Sequence, residues 1–483
     1  MKHIATILLP MLMICCSSET DTPDKHHQET YDPDPVHLSV RQDAKPVDDW
    51  IFGYNTQSIK GPGWEREDFI GRITELNPGN FRYPGGTVGN FWDWKTGFYN
   101  DIGKSVNVIA PPASGPLPYK LEHVKKVYDN TGAIPVFLIN MLTSTYEEQL
   151  AMLKHAESIG LPVKFIEMGN EYYLDNHPEN YNYLTVFPEI TDYTDMCREW
   201  TEGFRAEFPD AEIGLIGVTS PNSWKKERAN KWNGIVMDNM EGIYCDAITL
   251  HIYTKNNLET PSPYDAIGQT LASVAETKVL DPSIDPEYKL WVTEYNYEGA
   301  SNPFPGQWVH GLAETIMSAN LIVMDRIEMI CFFNLTAGKS ASAIYDTDVD
   351  INGNTAPAVS LSATGEGLKM LSKAQRGAKS VSVVDFSENM EVETQKNGRI
   401  KTLYGYLFMS EAPKLLIVNI GKEEVTIEPD PESIGFTPSS FEQISAASLE
   451  TAITGPASLS RLDRETRKNG QVMLRPYSIT VIQ

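Results

Sequence analysis

Between Trp50 and Ala374 the chain repeats one alternation eight times: a short apolar run, then a longer segment with apolar residues three and four apart. A run of about four to eight apolar residues suits a strand covered on both faces, and the longer spacing suits a helix with one covered face. Regular alternation of the two is the mark of βα units around a parallel sheet, and eight units close a (β/α)8 barrel. The predicted strands are Ile51 to Asn55, Asn80 to Tyr83, Ile134 to Asn140, Val163 to Gly169, Glu212 to Val218, Asp246 to Tyr253, Lys289 to Tyr295 and Glu328 to Asn334. Predicted helices cover Glu67 to Leu76, Leu121 to Asn130, Glu147 to Gly160, Thr191 to Glu207, Ala229 to Met240, Tyr264 to Lys278, Gly311 to Asp325 and Leu361 to Ala374.

After Arg376 the helical spacing stops and short alternating runs follow, among them Thr402 to Phe408, Lys414 to Ile420 and Val472 to Val481. They predict an all-β sandwich of about a hundred residues. Val36 to Val40 also alternates, and is expected to pair with that sandwich. At 483 residues the chain exceeds one compact core. The expected division is a signal peptide at 1–16, a tether and possible first strand of the β-domain at 17–45, the barrel at 46–375 and the sandwich at 376–483.

The first residues read as a targeting segment. Lys2 and His3 precede the apolar run Ile4 to Ile14, too short for a mature membrane span, and Cys15 and Cys16 follow. This resembles a bacterial lipoprotein signal, with Cys16 the lipidated residue because the position before the cut should be small. The polar stretch after it resembles the surface-export signal of outer-membrane lipoproteins. The chain is therefore expected at the outer membrane or cell surface of a Gram-negative bacterium through a lipid anchor, with a plain secretory signal and a periplasmic protein as the alternative. Cys197, Cys245 and Cys331 sit in apolar stretches without metal-ligand spacing and read as buried small hydrophobes.

A formal net charge of −25 repels phosphate backbones and anionic membrane surfaces, so nucleic acid is not expected as a partner. No H-E-x-x-H, calcium-loop or phosphate-cradling motif occurs, and no metal or cofactor is implied.

Chemistry in such a barrel collects at the C-terminal ends of the strands. There the second strand ends Phe81-Arg82-Tyr83-Pro84-Gly85-Gly86 and the fourth Glu167-Met168-Gly169-Asn170-Glu171. The sixth ends His251-Ile252-Tyr253 and the seventh Thr293-Glu294-Tyr295-Asn296. Two carboxylates on the fourth and seventh strands face each other across the barrel mouth, as hydrolysis of a glycosidic bond requires. One must hold a proton while the other stays ionised, so their surroundings must differ. Arg82 and Tyr253 are candidates for keeping Glu294 charged, and a structural ion pair between Arg82 and Glu167 is the alternative. His251 has a core role as its alternative.

Gly169-Asn170-Glu171 after a strand, with Glu294 ending the seventh, resembles clan A of the glycoside hydrolases, over most of the chain. Arg-x-Pro-Gly-Gly at 82–86 most resembles its α-L-arabinofuranosidase, β-xylosidase and β-glucuronidase branches. The resemblance implies Glu171 as acid/base, Glu294 as nucleophile and Asn170 on the sugar hydroxyl beside the anomeric carbon. Arg82, His251 and Tyr253 would belong to the same subsite. The chain departs from the clan in Tyr172-Tyr173, where proline is common, and in Phe332-Phe333-Asn334, where the clan often has tryptophan. Trp92 and Trp94 are candidates for a sugar platform or for packed loop anchors.

A retaining double displacement follows, with the carboxyl groups expected roughly 5 to 5.5 Å apart. The expected partner is a carbohydrate. An endo-acting glycanase and a non-catalytic surface glycan-binding lipoprotein are the alternatives, and oligomeric state stays open.

Overall fold

The computed structural model describes residues 35–56, 61–100, 119–174, 183–220, 226–338 and 342–483. The expected signal peptide, Cys16 and the tether up to residue 34 lie outside them. No described helix is long and apolar enough to cross a membrane.

A strand at Val36–Val40 (β1) precedes eight parallel strands: Phe52–Asn55 (β2), Asn80–Tyr83 (β3), Ile134–Leu138 (β4), Phe165–Met168 (β5), Glu212–Ile216 (β6), Ala247–Thr254 (β7), Lys289–Tyr297 (β8) and Ile327–Phe333 (β9). Each pairs with its neighbour and β9 closes on β2, giving a complete barrel. Its helices are Glu67–Leu76 (α1), Leu121–Thr131 (α2), Tyr146–Ser158 (α3), Ile190–Glu207 (α4), Glu227–Asp238 (α5), Pro263–Ser273 (α6), Trp308–Val323 (α7) and Ala363–Gln375 (α8). The helix expected over 264–278 breaks after Ser273 and resumes as a short turn, Glu276–Val279. Its start is fixed by Ser262, whose hydroxyl accepts from Asp265 N while the Asp265 carboxylate accepts from Ser262 N.

Side chains fill the barrel interior. Trp291, Phe165, Val136, Met329 and Cys331 form one buried cluster, with the Trp291 and Phe165 rings 5.4 Å apart at 82°. Gly214 leaves room for the indole, since a Cβ there would lie 2.7 Å from the Trp291 ring.

The C-terminal strands are Ser380–Phe386 (β10), Glu391–Glu393 (β11), Arg399–Lys401 (β12), Leu403–Met409 (β13), Lys414–Asn419 (β14), Val425–Glu428 (β15), Ser440–Ser445 (β16), Ser460–Glu465 (β17), Val472–Leu474 (β18) and Ser478–Ile482 (β19). Apart from the β11–β12 hairpin they form one sheet in the order β17-β16-β19-β14-β13-β10-β1-β15-β18. Leu38 of β1, Ile427 of β15 and Leu474 of β18 share a core with Leu415 and Ile417 of β14 and with Ile482. Strands far apart in the sheet order meet there only because the sheet folds back on itself as a sandwich.

Leu416 and Val418, on the other face of β14, belong to the core that also holds the barrel helices. Two buried faces explain the unbroken Leu-Leu-Ile-Val run. They explain α7 as well, which is buried almost all round. Its Trp308 Nε1 donates to the Tyr477 carbonyl at 2.7 Å, and its Asn320 accepts from Tyr406 at 2.8 Å. Among the cysteines, Cys197 and Cys331 are buried and Cys245 is half-buried, and all three are free thiols.

Candidate active site

β5 delivers three polar residues within five positions because its end is tightly turned. Gly169 has φ +92°, and a Cβ there would meet the Tyr172 ring at 2.3 Å. Glu171 itself has φ +57°, a region rarely used outside glycine. The chain thus reverses at once after the strand, and Glu167, Asn170 and Glu171 all contribute to one cluster.

Glu294 reaches the same cluster through a bulge in β8. Leu250 pairs with Val292 but His251 pairs with Glu294, so Thr293 is an extra residue against β7. Strict alternation would send Glu294 outward if Thr293 faced in. The bulge turns both inward: the Thr293 hydroxyl donates to Glu167 at 2.8 Å and Glu294 accepts from Arg82.

Arg82, fully buried at the end of β3, ties the site together. Its Nε and Nη2 donate to the two Glu167 oxygens at 2.5 and 3.1 Å, Nη1 donates to Glu294 Oε1 at 2.7 Å, and Nη2 also donates to Asn170 Oδ1 at 2.9 Å. Both roles anticipated for Arg82 are therefore realised: it braces Glu167 and pairs with Glu294. Burial opposes its charge, but the Glu167 and Glu294 carboxylates outweigh that and hold its pKa above the ordinary value.

The two facing glutamates differ in their partners. Glu294 Oε2 accepts from Tyr253 Oη at 2.5 Å, and Oε1 also accepts from Asn55 Nδ2 at 3.3 Å. Glu171 Oε1 receives Tyr173 Oη at 2.9 Å and faces His251 Nδ1 at 2.8 Å. His251 Nδ1 also lies 3.6 Å from Glu294 Oε2. Burial pushes the imidazole down, but Glu294 and Glu171 lift it above its usual value. Burial likewise pushes Glu171 up, while His251, Tyr173 and Arg82 bring it below the ordinary carboxylate range. One oxygen of each carboxylate and the His251 nitrogen lie within 4.8 Å of one another.

Asn170 has its Oδ1 occupied by Arg82, which sets the amide so that Nδ2 faces elsewhere; this buried donor has no partner among the described residues. A buried donor left unmatched is costly, and a ligand hydroxyl is the natural group to satisfy it.

Of the two readings open for Trp92 and Trp94, their contacts fit the packed loop anchor. Trp92 is 3% exposed, lies edge-on to Tyr83 and donates Nε1 to the Tyr83 hydroxyl at 2.9 Å. Trp94 packs against His155 with ring centres 5.4 Å apart, under Lys95. Both are anchors of the loop after β3. Phe333, at the end of β9, stands edge-on to Tyr253 at 81°, with ring centres 5.9 Å apart.

Reasoning from sequence missed Asn55 and Tyr173. Asn55 carried a readable signal, a polar residue ending the first apolar run. Tyr173 carried only its departure from the clan pattern.

No family profile and no curated protein matches the chain. Solved structures do. The fold is shared with GH51 α-L-arabinofuranosidases. The enzyme of Thermotoga petrophila RKU-1 is 16% identical, with a TM-score of 0.63 over 92% of this chain and 99% of that one. A family 51 α-L-arabinofuranosidase of Bifidobacterium longum is 14% identical, with a TM-score of 0.69 over 93% and 99%. The GH51 arabinofuranosidase of Xanthomonas axonopodis pv. citri is 14% identical, with a TM-score of 0.66 over 93% and 100%. The likeness covers the barrel and the C-terminal sheet together.

Proposed function

We propose that this chain is a retaining glycoside hydrolase of α-L-arabinofuranosidase type, with Glu294 as nucleophile and Glu171 as acid/base. The observation that carries the reading is the approach of the two carboxylates to within 4.8 Å. Retaining enzymes space these groups about 5 to 5.5 Å apart, whereas inverting ones leave roughly 6.5 to 9.5 Å for a water.

Glu294, kept ready by Arg82 and Tyr253, attacks the anomeric carbon as the bond to the leaving oxygen breaks and Glu171 supplies the proton that oxygen needs. In the free site His251, Tyr173 and Arg82 hold the Glu171 carboxyl low against its burial. A sugar filling the cleft removes the water still reaching Glu171, whose side chain is 19% exposed, and this desolvation raises the carboxyl toward the acid form. In the second step Glu171 takes a proton from water, whose oxygen displaces Glu294 from the anomeric carbon. Asn170 Nδ2 donates to the neighbouring sugar hydroxyl.

Export by a lipidated Cys16 places this activity outside the cytoplasm, where a polymer too large to import can be trimmed.

The test pairs product stereochemistry with azide rescue. NMR of early products from an aryl α-L-arabinofuranoside should show retained configuration. Azide should restore turnover to Glu171→Ala with retention and to Glu294→Ala with inversion. An inverted product from the unmutated protein would overturn the double displacement. Glycan binding without hydrolysis, equal in wild type and Glu294→Gln, would overturn the enzyme.

A further inference from the structure

Beside the carboxylate pair lies a second cavity of about 300 Å3, with His251 and Tyr253 among its walls. It is lined mainly by hydroxyls and amides, such as those of Ser273, Thr277 and Asn397. Apart from the titratable His251, its charged lining residues are Lys255 and Lys278, and none of the described lining residues is a carboxylate. That is unusual in a chain of net charge −25.

One wall is brought from the C-terminal sandwich. Asn397 sits in the turn between β11 and β12, and the residues before it hold that turn against the barrel. Gln395 N and Nε2 donate to Asp265 at 2.6 and 2.9 Å, and Lys396 Nζ donates to the Asn257 carbonyl at 2.7 Å. Asn397 Nδ2 is buried without a hydrogen-bond partner among the described residues. Lys255 reaches Glu298 at 3.3 Å from a side chain that is 67% exposed. Such a pair contributes little in water and exchanges readily for a ligand anion.

We infer that this cavity is a subsite for a sugar unit bearing an anionic substituent, a carboxylate or a sulfate ester, next to the residue that is cleaved. The inference rests on the glycoside hydrolase reading. The acidic net charge does not oppose it, because charges beyond about 8 to 10 Å are screened at ordinary salt while the two lysines act at contact. Thr277 and Asn397 supply hydrogen bonds suited to the ring hydroxyls, and the lysines discriminate against the uncharged analogue.

The test uses three oligosaccharides that share one backbone, carrying a uronosyl branch, a sulfate ester or no charge. Wild type should show a lower KM for at least one charged substrate, and the arm that responds identifies the anion. In Lys255→Ala/Lys278→Ala that KM should rise roughly tenfold, two surface charge contacts' worth, with kcat and the neutral substrate unchanged. The advantage should also shrink in high salt. Equal treatment of charged and neutral substrates by wild type, or equal losses on both in the double variant, would overturn the subsite. If wild type cleaves none of them, the hydrolase reading fails separately. Titration of the same oligosaccharides against both proteins then decides the cavity: binding of the charged one that weakens in the variant supports it, and indifference to charge sinks it.

Discussion

The Tyr173 hydroxyl donates to Glu171 Oε1 at 2.9 Å, on the same oxygen that His251 Nδ1 faces at 2.8 Å. Two partners on one oxygen fix the carboxylate plane and leave Oε2 for the substrate. Burial, then the neighbouring Glu171, push the Tyr173 hydroxyl far above its ordinary range, so it remains a donor at any working pH. A donor favours the ionised carboxylate, and removing it favours the acid. Tyr173→Phe should therefore move the alkaline limb of the kcat/KM profile upward and lower kcat by roughly tenfold through looser positioning. An unchanged pH profile would assign Tyr173 to packing alone.

Arg82 and Glu167 are both fully shielded from solvent. Removing the cation strands the buried Glu167 and leaves Glu294 with His251, 3.6 Å away, as its remaining partner of cationic type. Arg82→Ala should cost about 3–5 kcal/mol of stability. Glu167→Gln, which removes the stranded charge, should recover part of that loss when added to Arg82→Ala. Urea denaturation of the single and double variants measures both, and additive losses would contradict the shared network.

His310 and Glu314, one turn apart on α7, give stability a defined pH window. Burial pushes Glu314 up to about 8 and His310 down to about 4. Folded Glu314 keeps its proton where the unfolded chain has lost it, so stability falls as pH rises from about 4.5 to 8. Folded His310 refuses a proton that the unfolded chain takes, so stability falls as pH drops from about 6.5 to 4. The two slopes oppose each other between about 4.5 and 6.5, and the Glu314 decline stands alone above that. Glu314→Gln should flatten melting temperature between pH 6.5 and 8, as scanning fluorimetry would show. A decline as steep as that of wild type would remove Glu314 as its source.

Gly214→Ala places a methyl group 2.7 Å from the Trp291 ring. Overpacking of this kind costs about 1–3 kcal/mol, and a smaller ring partner should relieve it. Gly214→Ala should lower the melting temperature, and combining it with Trp291→Phe should lose less than the sum of the two single changes. Strict additivity would show that the barrel interior has slack there.

The βα alternation determined the barrel, because hydrophobic period is a local property that survives translation into three dimensions. Each of the eight predicted strands overlaps a real one, and the pairing of β1 with β10 followed from its own alternation. Strand-end position singled out Arg82, Asn170, Glu171, His251, Tyr253 and Glu294, since a polar residue closing an apolar run is visible in one dimension. What only the tertiary structure decided depends on register and on contacts distant in sequence. The bulge at Thr293 that turns Glu294 inward is a pairing offset between two strands. The break after Ser273 interrupts a run that reads as one helix. Trp92 and Trp94 show the limit most clearly: their composition fits a sugar platform, yet Tyr83, nine residues from Trp92, and His155, 61 residues from Trp94, are the partners that turn both indoles into packing.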